Sequence, residues 1–290
     1  MTRALLRRMP LPQPGSDDDK DARGRVLVIG GSAQVAGAVL LAGVAALRSG
    51  AGKLQLATVA SAAPALGMAV PEALVIALRA SRAGEIAGKH AQAALAAHVG
   101  SVNAVLAGPG MSSDRAAHAL LAPLIRRLGD DAILVLDAAA ITALAHDESM
   151  LHPLGARAVL TPHAGEMASL LGVDKHDVER DPGDVARHAA QRFAAVVALK
   201  GAETYMAEPD GTLYRYAGGS VGLATSGSGD TLAGIIAGLA ARGAPPAHAA
   251  VWGAYLHGAA GRVLARRLGP IGFLARELLD ELPPLLRRLS

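Results

Sequence analysis

Not one of the chain's 290 residues is cysteine, which excludes a disulfide framework, a catalytic thiolate and any cysteine-ligated zinc or iron–sulfur centre. Aromatic residues amount to 2% of a chain that is 51% hydrophobic. The core must therefore be built from Ala, Leu, Val and Gly, with backbones in close approach. Charge of one sign is also scarce. The formal net charge is +3, and Lys and Arg are scattered without interleaved aromatics on which bases could stack, so no nucleic-acid partner is expected. Long apolar runs are missing as well: the most apolar stretch, residues 35–47, ends at Arg48. It is shorter than the roughly 20 residues of a bilayer span, so it reads as a buried helix and no membrane partner is expected. The opening residues carry Arg3, Arg7 and Arg8 but are interrupted by Pro10, Pro12 and Pro14, which gives no secretory signal and a cytoplasmic expectation.

What the chain does have is a rhythm. Short apolar runs at 26–29, 54–59, 74–78, 104–107, 133–136, 158–160 and 196–199 alternate with longer Ala-rich stretches. Runs that are apolar at consecutive positions suit strands buried on both faces, so the expected fold is α/β: a three-layer α/β/α sandwich with a mainly parallel central sheet. Residues 204–216 break the rhythm with two short strand-like pieces around Pro209-Asp210-Gly211, an antiparallel hairpin at the sheet edge. Residues 15–25 are polar and Asp-rich and read as an exposed, mobile lead-in. The expected organisation is an N-terminal arm over residues 1–24 and a single domain over 25–290.

The strongest chemical signal is Ala224-Thr225-Ser226-Gly227-Ser228-Gly229-Asp230, running directly into a small-residue helix that stops at Gly243. Gly227 and Gly229 free the backbone around Ser228 to turn N–H groups toward an anion, and the helix N-terminus adds positive partial charge, so phosphate is the natural guest. Asp230 repels such a guest unless it takes a proton from an attacking hydroxyl; the other reading of Asp at a helix start is an N-cap. Leu160-Thr161-Pro162-His163-Ala164-Gly165-Glu166 ends a strand, where an open α/β sheet places its ligand crevice, with His163 at the mouth and Glu166 in the next helical turn. Leu199-Lys200-Gly201-Ala202-Glu203-Thr204 ends another strand and offers an ammonium, bare backbone and a hydroxyl. Ala107-Gly108-Pro109-Gly110 and Leu136-Asp137-Ala138 end two more. Each stretch alone is compatible with an ordinary turn or a surface residue; five converging on one sheet edge point to a site.

Other motifs fail on spacing. Gly30-Gly31-Ser32 through Gly37 lacks G-x-G-x-x-G, and Gly52-Lys53-Leu54 lacks both the Ser/Thr and the upstream glycine of a P-loop. Gly218-Gly219-Ser220-Val221-Gly222 matches G-x-S-x-G, but it follows a hairpin instead of joining a strand to a helix. The ten His include no H-E-x-x-H pair, so no metal ligand set is assigned, and any metal is expected to be Mg²⁺ held through phosphates.

From about Lys20 onward the chain resembles the ADP-dependent NAD(P)H-hydrate dehydratases of the ribokinase-like superfamily. The resemblance rests on Gly24-Arg25-Val26-Leu27-Val28-Ile29-Gly30-Gly31-Ser32, on Gly37-Ala38, on Leu47-Arg48-Ser49-Gly50-Ala51-Gly52, and on four motifs in the family's order: GPG, TPH-x-GE, KG-x-x-T and G-x-GD-x-L-x-G. It implies a dehydratase that restores NADH or NADPH from the S-epimer of its hydrate, with ADP as phosphoryl donor and AMP and phosphate released. By the same resemblance Ala38, Gly110, His163 and Asp230 contact the hydrate, Lys200, Gly201, Ala202, Glu203, Thr204 and Gly229 contact the adenine nucleotide, and Asp230 is the base. Gly227, Ser228, Glu166 and Asp137 are the supporting residues. The family's habit also implies a homo-oligomer, a homotetramer among its forms, working beside a separate epimerase, since nothing before Arg25 has room for an epimerase domain. Two positions depart from the family's pattern: Ala139, where Asp is frequent, and Ala164, where Pro is usual and whose absence is expected to loosen the His163 loop. A competing reading is an ATP-dependent kinase of a small alcohol such as hydroxyethylthiazole or hydroxymethylpyrimidine, which would use the same turn and the same Asp230.

Overall fold

Consecutive apolar residues in a strand point to opposite faces, so each run must find cover on both sides. The computed structural model, which describes residues 1–13, 15 and 19–289, shows how that is met. Strands β1 (Arg25–Ile29), β2 (Lys53–Val59), β3 (Ala73–Leu78), β4 (Ala104–Ala107), β5 (Ile133–Leu136), β6 (Ala158–Leu160), β7 (Val196–Leu199), β8 (Thr204–Ala207) and β9 (Leu213–Tyr216) form one sheet. Its order is β3-β2-β1-β4-β5-β6-β7-β8-β9. All pairings from β3 to β7 are parallel, while β8 and β9 form the antiparallel hairpin expected at the edge.

The helices are α1 (Arg3–Arg8), α2 (Gly37–Arg48), α3 (Ala63–Ala69), α4 (Gly88–Val99), α5 (Asp114–Ile125), α6 (Ala139–Thr142), α7 (Ala164–Leu171), α8 (Lys175–Arg180), α9 (Pro182–Phe193), α10 (Ser228–Ala241), α11 (Pro246–Leu268) and α12 (Ala275–Leu289). Alternate strand residues sort into two cores. Val26, Val28, Leu106 and Val135 pack with α2, α10, α11 and α12, and Leu27, Ile29, Val105 and Leu136 with α4, α5, α7 and α9. The sandwich has three layers, as the run pattern required.

The shortage of aromatics has its counterpart between α2 and α10. A Cβ at Gly234 would lie 2.2 Å from the Ala42 carbonyl oxygen, and one at Gly238 would lie 2.4 Å from that of Ala46. These helices touch backbone to backbone.

Ahead of the lead-in expected over residues 15–25, the chain is docked on the core. Helix α1 sets Leu6 into the α11 side of the core, with Met9 and Leu11 beside it, and the Trp252 indole N–H donates to the Met9 carbonyl at 2.6 Å. Residues 20–23 are exposed, as expected. Asp21, however, pairs with Arg25 at 2.7 Å and with Lys53, and the Gly52 N–H donates to the Gly24 carbonyl at 2.9 Å. Salt bridges and main-chain bonds thus tie the described part of the lead-in to β1 and β2. Residues 14 and 16–18 lie outside the described residues.

Candidate functional site

Strand order reverses around β1, whose neighbours are β2 and β4, and a ligand crevice belongs outside the C-terminal ends of strands at such a switch. The Gly31 N–H donates to the Pro109 carbonyl at 2.7 Å, joining the turns that follow β1 and β4. Gly110 has φ +70°, and a Cβ there would fall 2.5 Å from the Val35 carbonyl oxygen and 2.9 Å from the Ala38 Cβ. Only glycine fits, and Gly110 lies directly against Ala38 at the start of α2.

The glycine turn lies beside α2, where a Cβ at Gly227 would meet the Leu41 side chain at 2.4 Å. Gly227 occupies the N-cap of α10 at φ +84° with no side-chain capping bond, and Asp230 is the third residue of the helix. Asp230 is therefore not the N-cap. The Thr231 hydroxyl donates to the Gly227 carbonyl at 3.0 Å, and the Ser228 N–H to Thr225 at 3.2 Å. Gly229 and Asp230 stand in the first turn, where N–H groups have no helical acceptor. A Cβ at Gly229 would sit 3.3 Å from the Lys200 Nζ, so the bare backbone lets the ammonium approach the turn.

Lys200 is the electrostatic centre. Its main-chain N–H donates to the Pro162 carbonyl at 2.7 Å, which brings the ends of β6 and β7 together. Its Nζ lies 2.9 Å from Asp137 and 3.9 Å from Glu166. Asp137 is 3% exposed and also accepts from the Thr161 hydroxyl at 2.7 Å, so a buried carboxylate holds the ammonium in place. Burial works against the charge of Lys200, but Asp137 and Glu166 outweigh it and hold the ammonium above its ordinary range. Asp230 is raised too, which for a carboxylate disfavours the charged form. Burial first, then the Asp137 charge, raise it to about 6, against the pull of Lys200.

His163 is the N-cap of α7. Its Nδ1 accepts from the N–H groups of Gly165 and Glu166 at 3.0 and 3.1 Å, and Glu166 accepts from the His163 N–H at 2.8 Å. This reciprocal capping orients the ring with alanine at position 164. With Nδ1 accepting, the proton of the neutral ring is on Nε2. Ala139, where the family often has Asp, opens α6 behind the crevice and is 8% exposed.

Lys200, Gly201, Ala202 and Glu203 line an open pocket of about 550 Å³, together with Ala164, Val178, Arg180, Pro182 and Tyr205. The carboxylate of Glu203 is committed elsewhere, to Arg215 through two bonds of 2.6 Å and to the Tyr205 hydroxyl at 2.9 Å. Thr204 pairs with Tyr216 in the β8–β9 ladder. Among the described residues no group of three or more His, Asp or Glu is placed to hold a metal ion. The sequence reading left out His257 of α11, whose Nε2 is 2.9 Å from the Ser228 hydroxyl. A lone His among the small and apolar residues of a helix carries no spacing signal.

A family profile described as NAD(P)H-hydrate dehydratase matches residues 26–284. An ADP-dependent (S)-NAD(P)H-hydrate dehydratase of Xanthomonas campestris pv. campestris is 52% identical over 291 residues, covering 100% of this chain and 96% of that protein. The structure of the ADP/ATP-dependent NAD(P)H-hydrate dehydratase from Bacillus subtilis, co-crystallised with ATP/Mg²⁺, superposes with a TM-score of 0.80 at 29% identity, covering 100% of this chain and 98% of that one. A ribokinase-like superfamily protein from Enterococcus faecalis superposes with a TM-score of 0.86 at 26% identity, covering 100% and 95%. The sandwich is thus ribokinase-like, and on the span of the profile and the identity of a full-length relative the chain belongs to the NAD(P)H-hydrate dehydratase family.

Proposed function

We propose that this chain removes water from the S-epimer of hydrated NADH or NADPH, with ADP as phosphoryl donor and AMP and phosphate as the other products. The observation that carries the reading is Asp230, a carboxylate with no capping role in the first turn of α10, raised to about 6 beside a glycine turn and an ammonium. A base poised near neutral pH suits a hydroxyl that must lose its proton as it attacks phosphorus. In the first step the substrate hydroxyl oxygen bonds to the terminal phosphorus of ADP, the bond from that phosphorus to the AMP oxygen breaks, and Asp230 takes the hydroxyl proton. In the second the carbon–oxygen bond to the new phosphate breaks and the neighbouring carbon releases a proton as the ring double bond returns. Lys200 and the N–H groups of Gly229 and Asp230 would hold the phosphates, with Gly227 and Ser228 shaping the turn.

The pocket lined by Lys200, Gly201, Ala202 and Glu203 would take the adenine nucleotide, Glu203 through its backbone, with Thr204 at its margin. Ala38, Gly110 and His163 would face the hydrate, His163 donating from Nε2, with Glu166 and Asp137 fixing His163 and Lys200. Mg²⁺ fits this site through nucleotide phosphates and not through a protein cage, and when bound it would neutralise phosphate charge. Because one epimer is consumed, an epimerase must supply it from the other. The setting we propose is cytoplasmic; among the described residues no helix is long and apolar enough to cross a membrane. Exposed Val221, Leu268, Ile271 and Leu274 support a homo-oligomer.

The test is recovery of reduced-nicotinamide absorbance from the hydrate with Mg²⁺ and ADP, ATP or no nucleotide. Recovery with ADP and stoichiometric AMP is expected. A stable phosphorylated alcohol from hydroxyethylthiazole or hydroxymethylpyrimidine, with no recovery from the hydrate, would replace this reading with the kinase.

A further inference from the structure

The glycine turn is gripped from a second helix. Ser228 opens α10, is 5% exposed, and has its hydroxyl 2.9 Å from His257 Nε2 on α11. The pair sits where α11 packs on α10: Leu256 is fully buried, a Cβ at Gly258 would strike the Tyr216 ring at 2.3 Å, and the Lys200 ammonium is close enough to act on the imidazole. An imidazole in such a place loses solvation that an apolar side chain would not, so its hydrogen bond has to compensate. The main-chain N–H of Ser228 is bonded to Thr225 and the hydroxyl of Thr231 to Gly227. Ser228 and Thr231 bracket Gly229 and Asp230, so where these two sit follows from where their neighbours are held. His257 brings no charge to the turn, because burial first and the Lys200 ammonium second lower it to about 4.

We propose that His257 is a positioning residue for the phosphoryl transfer, its hydrogen bond to Ser228 setting the first turn of α10 so that the Gly229 N–H and the Asp230 carboxylate meet the transferred group in line. It touches no reacting atom, and the inference rests on the dehydratase reading above. A displacement of a base and an anion donor by about 1 Å is enough to cost on the order of a hundredfold in rate while leaving ground-state binding nearly intact.

The experiment is steady-state kinetics of hydrate repair with the full chain and its Ser228→Ala, His257→Leu, double and His257→Gln variants, each normalised to the folded fraction by circular dichroism. The single variants are expected to lower kcat about ten- to a hundredfold with KM for the hydrate within about twofold. The double variant should be no slower than the slower single, and His257→Gln, whose terminal amide can reach the serine, should recover most of the rate. The proposal is overturned by a His257→Leu kcat within twofold of the parent, by losses that multiply in the double variant, or by a loss that follows the folded fraction. Ser228→Ala, which removes one oxygen, keeps the test open if His257→Leu does not fold. A parent that repairs no hydrate refutes the dehydratase reading, and this inference with it.

Discussion

Replacing Asp230 with Asn should abolish turnover and stabilise the fold. In the free protein the carboxylate is raised from its ordinary 3.8 to about 6 because burial and the Asp137 charge outweigh Lys200. A group raised in the folded state contributes stability that is complete below about pH 3.8 and is lost as the pH climbs through 6. At pH 7.5 the ionised carboxylate therefore costs up to about 3 kcal/mol, and about 1–2 kcal/mol once water reaching the open crevice is allowed for. Asn has nearly the same shape and no charge to desolvate, so the variant should melt about 2–4 °C higher at pH 7.5. Near pH 4 the two proteins should melt together. Thermal melts of both, without nucleotide, across pH 4–8 are the assay, with hydrate repair measured in parallel and expected to fall at least a hundredfold. An Asn variant less stable at pH 7.5, or a difference that does not change with pH, would show that Asp230 is not held at a cost and would remove the argument for it as the base.

The same carboxylate should give kcat/KM for the hydrate an acid limb, rising about tenfold per pH unit up to near pH 6 and flat above; a rate that does not fall below pH 6 contradicts this. Lys200→Ala leaves the buried Asp137 without its cation and should cost about 3–5 kcal/mol in denaturant unfolding while weakening ADP binding. An unaltered ADP dissociation constant refutes the second half. Leu6→Ala, in a side chain 1% exposed, should cost about 2–4 kcal/mol and change the fluorescence of Trp252, the one Trp of the chain; no change in either means that α1 is not docked in solution. Gly234→Ala puts a methyl 2.2 Å from the Ala42 carbonyl oxygen and should destabilise by about 1–3 kcal/mol, against the usual gain from Gly→Ala inside a helix.

The sheet was legible because parallel strands buried on both faces leave runs such as Ile133-Leu134-Val135-Leu136 with no polar interruption. The turn at Gly227 was legible because a glycine at positive φ and a first helical turn are local properties. Less visible were contacts that join distant parts of the chain. Nothing around Asp137 announces that Lys200 closes on it, nor does a six-residue helix that ends before Pro10 announce that Leu6 fills a core beside α11. Glu203 shows the limit in the other direction: the motif placed it among the nucleotide contacts, and Arg215, on the neighbouring strand, takes its carboxylate. Motifs locate backbone, while long-range pairing decides what each side chain is free to do.

One long-range relation is nonetheless written in spacing. Gly234 meets Ala42 and Gly238 meets Ala46, so α10 and α2 run in register with four-residue steps on both helices, the period of one helical face. One turn before Gly234 in α10 stands Asp230, and one turn before Ala42 in α2 stands Ala38, against which a Cβ at Gly110 would press. A larger side chain at 234 or 238 would push the two helices apart. Small side chains are thus a condition of this packing. Two helices approach at backbone distance because a glycine on one meets an alanine on the other at both steps.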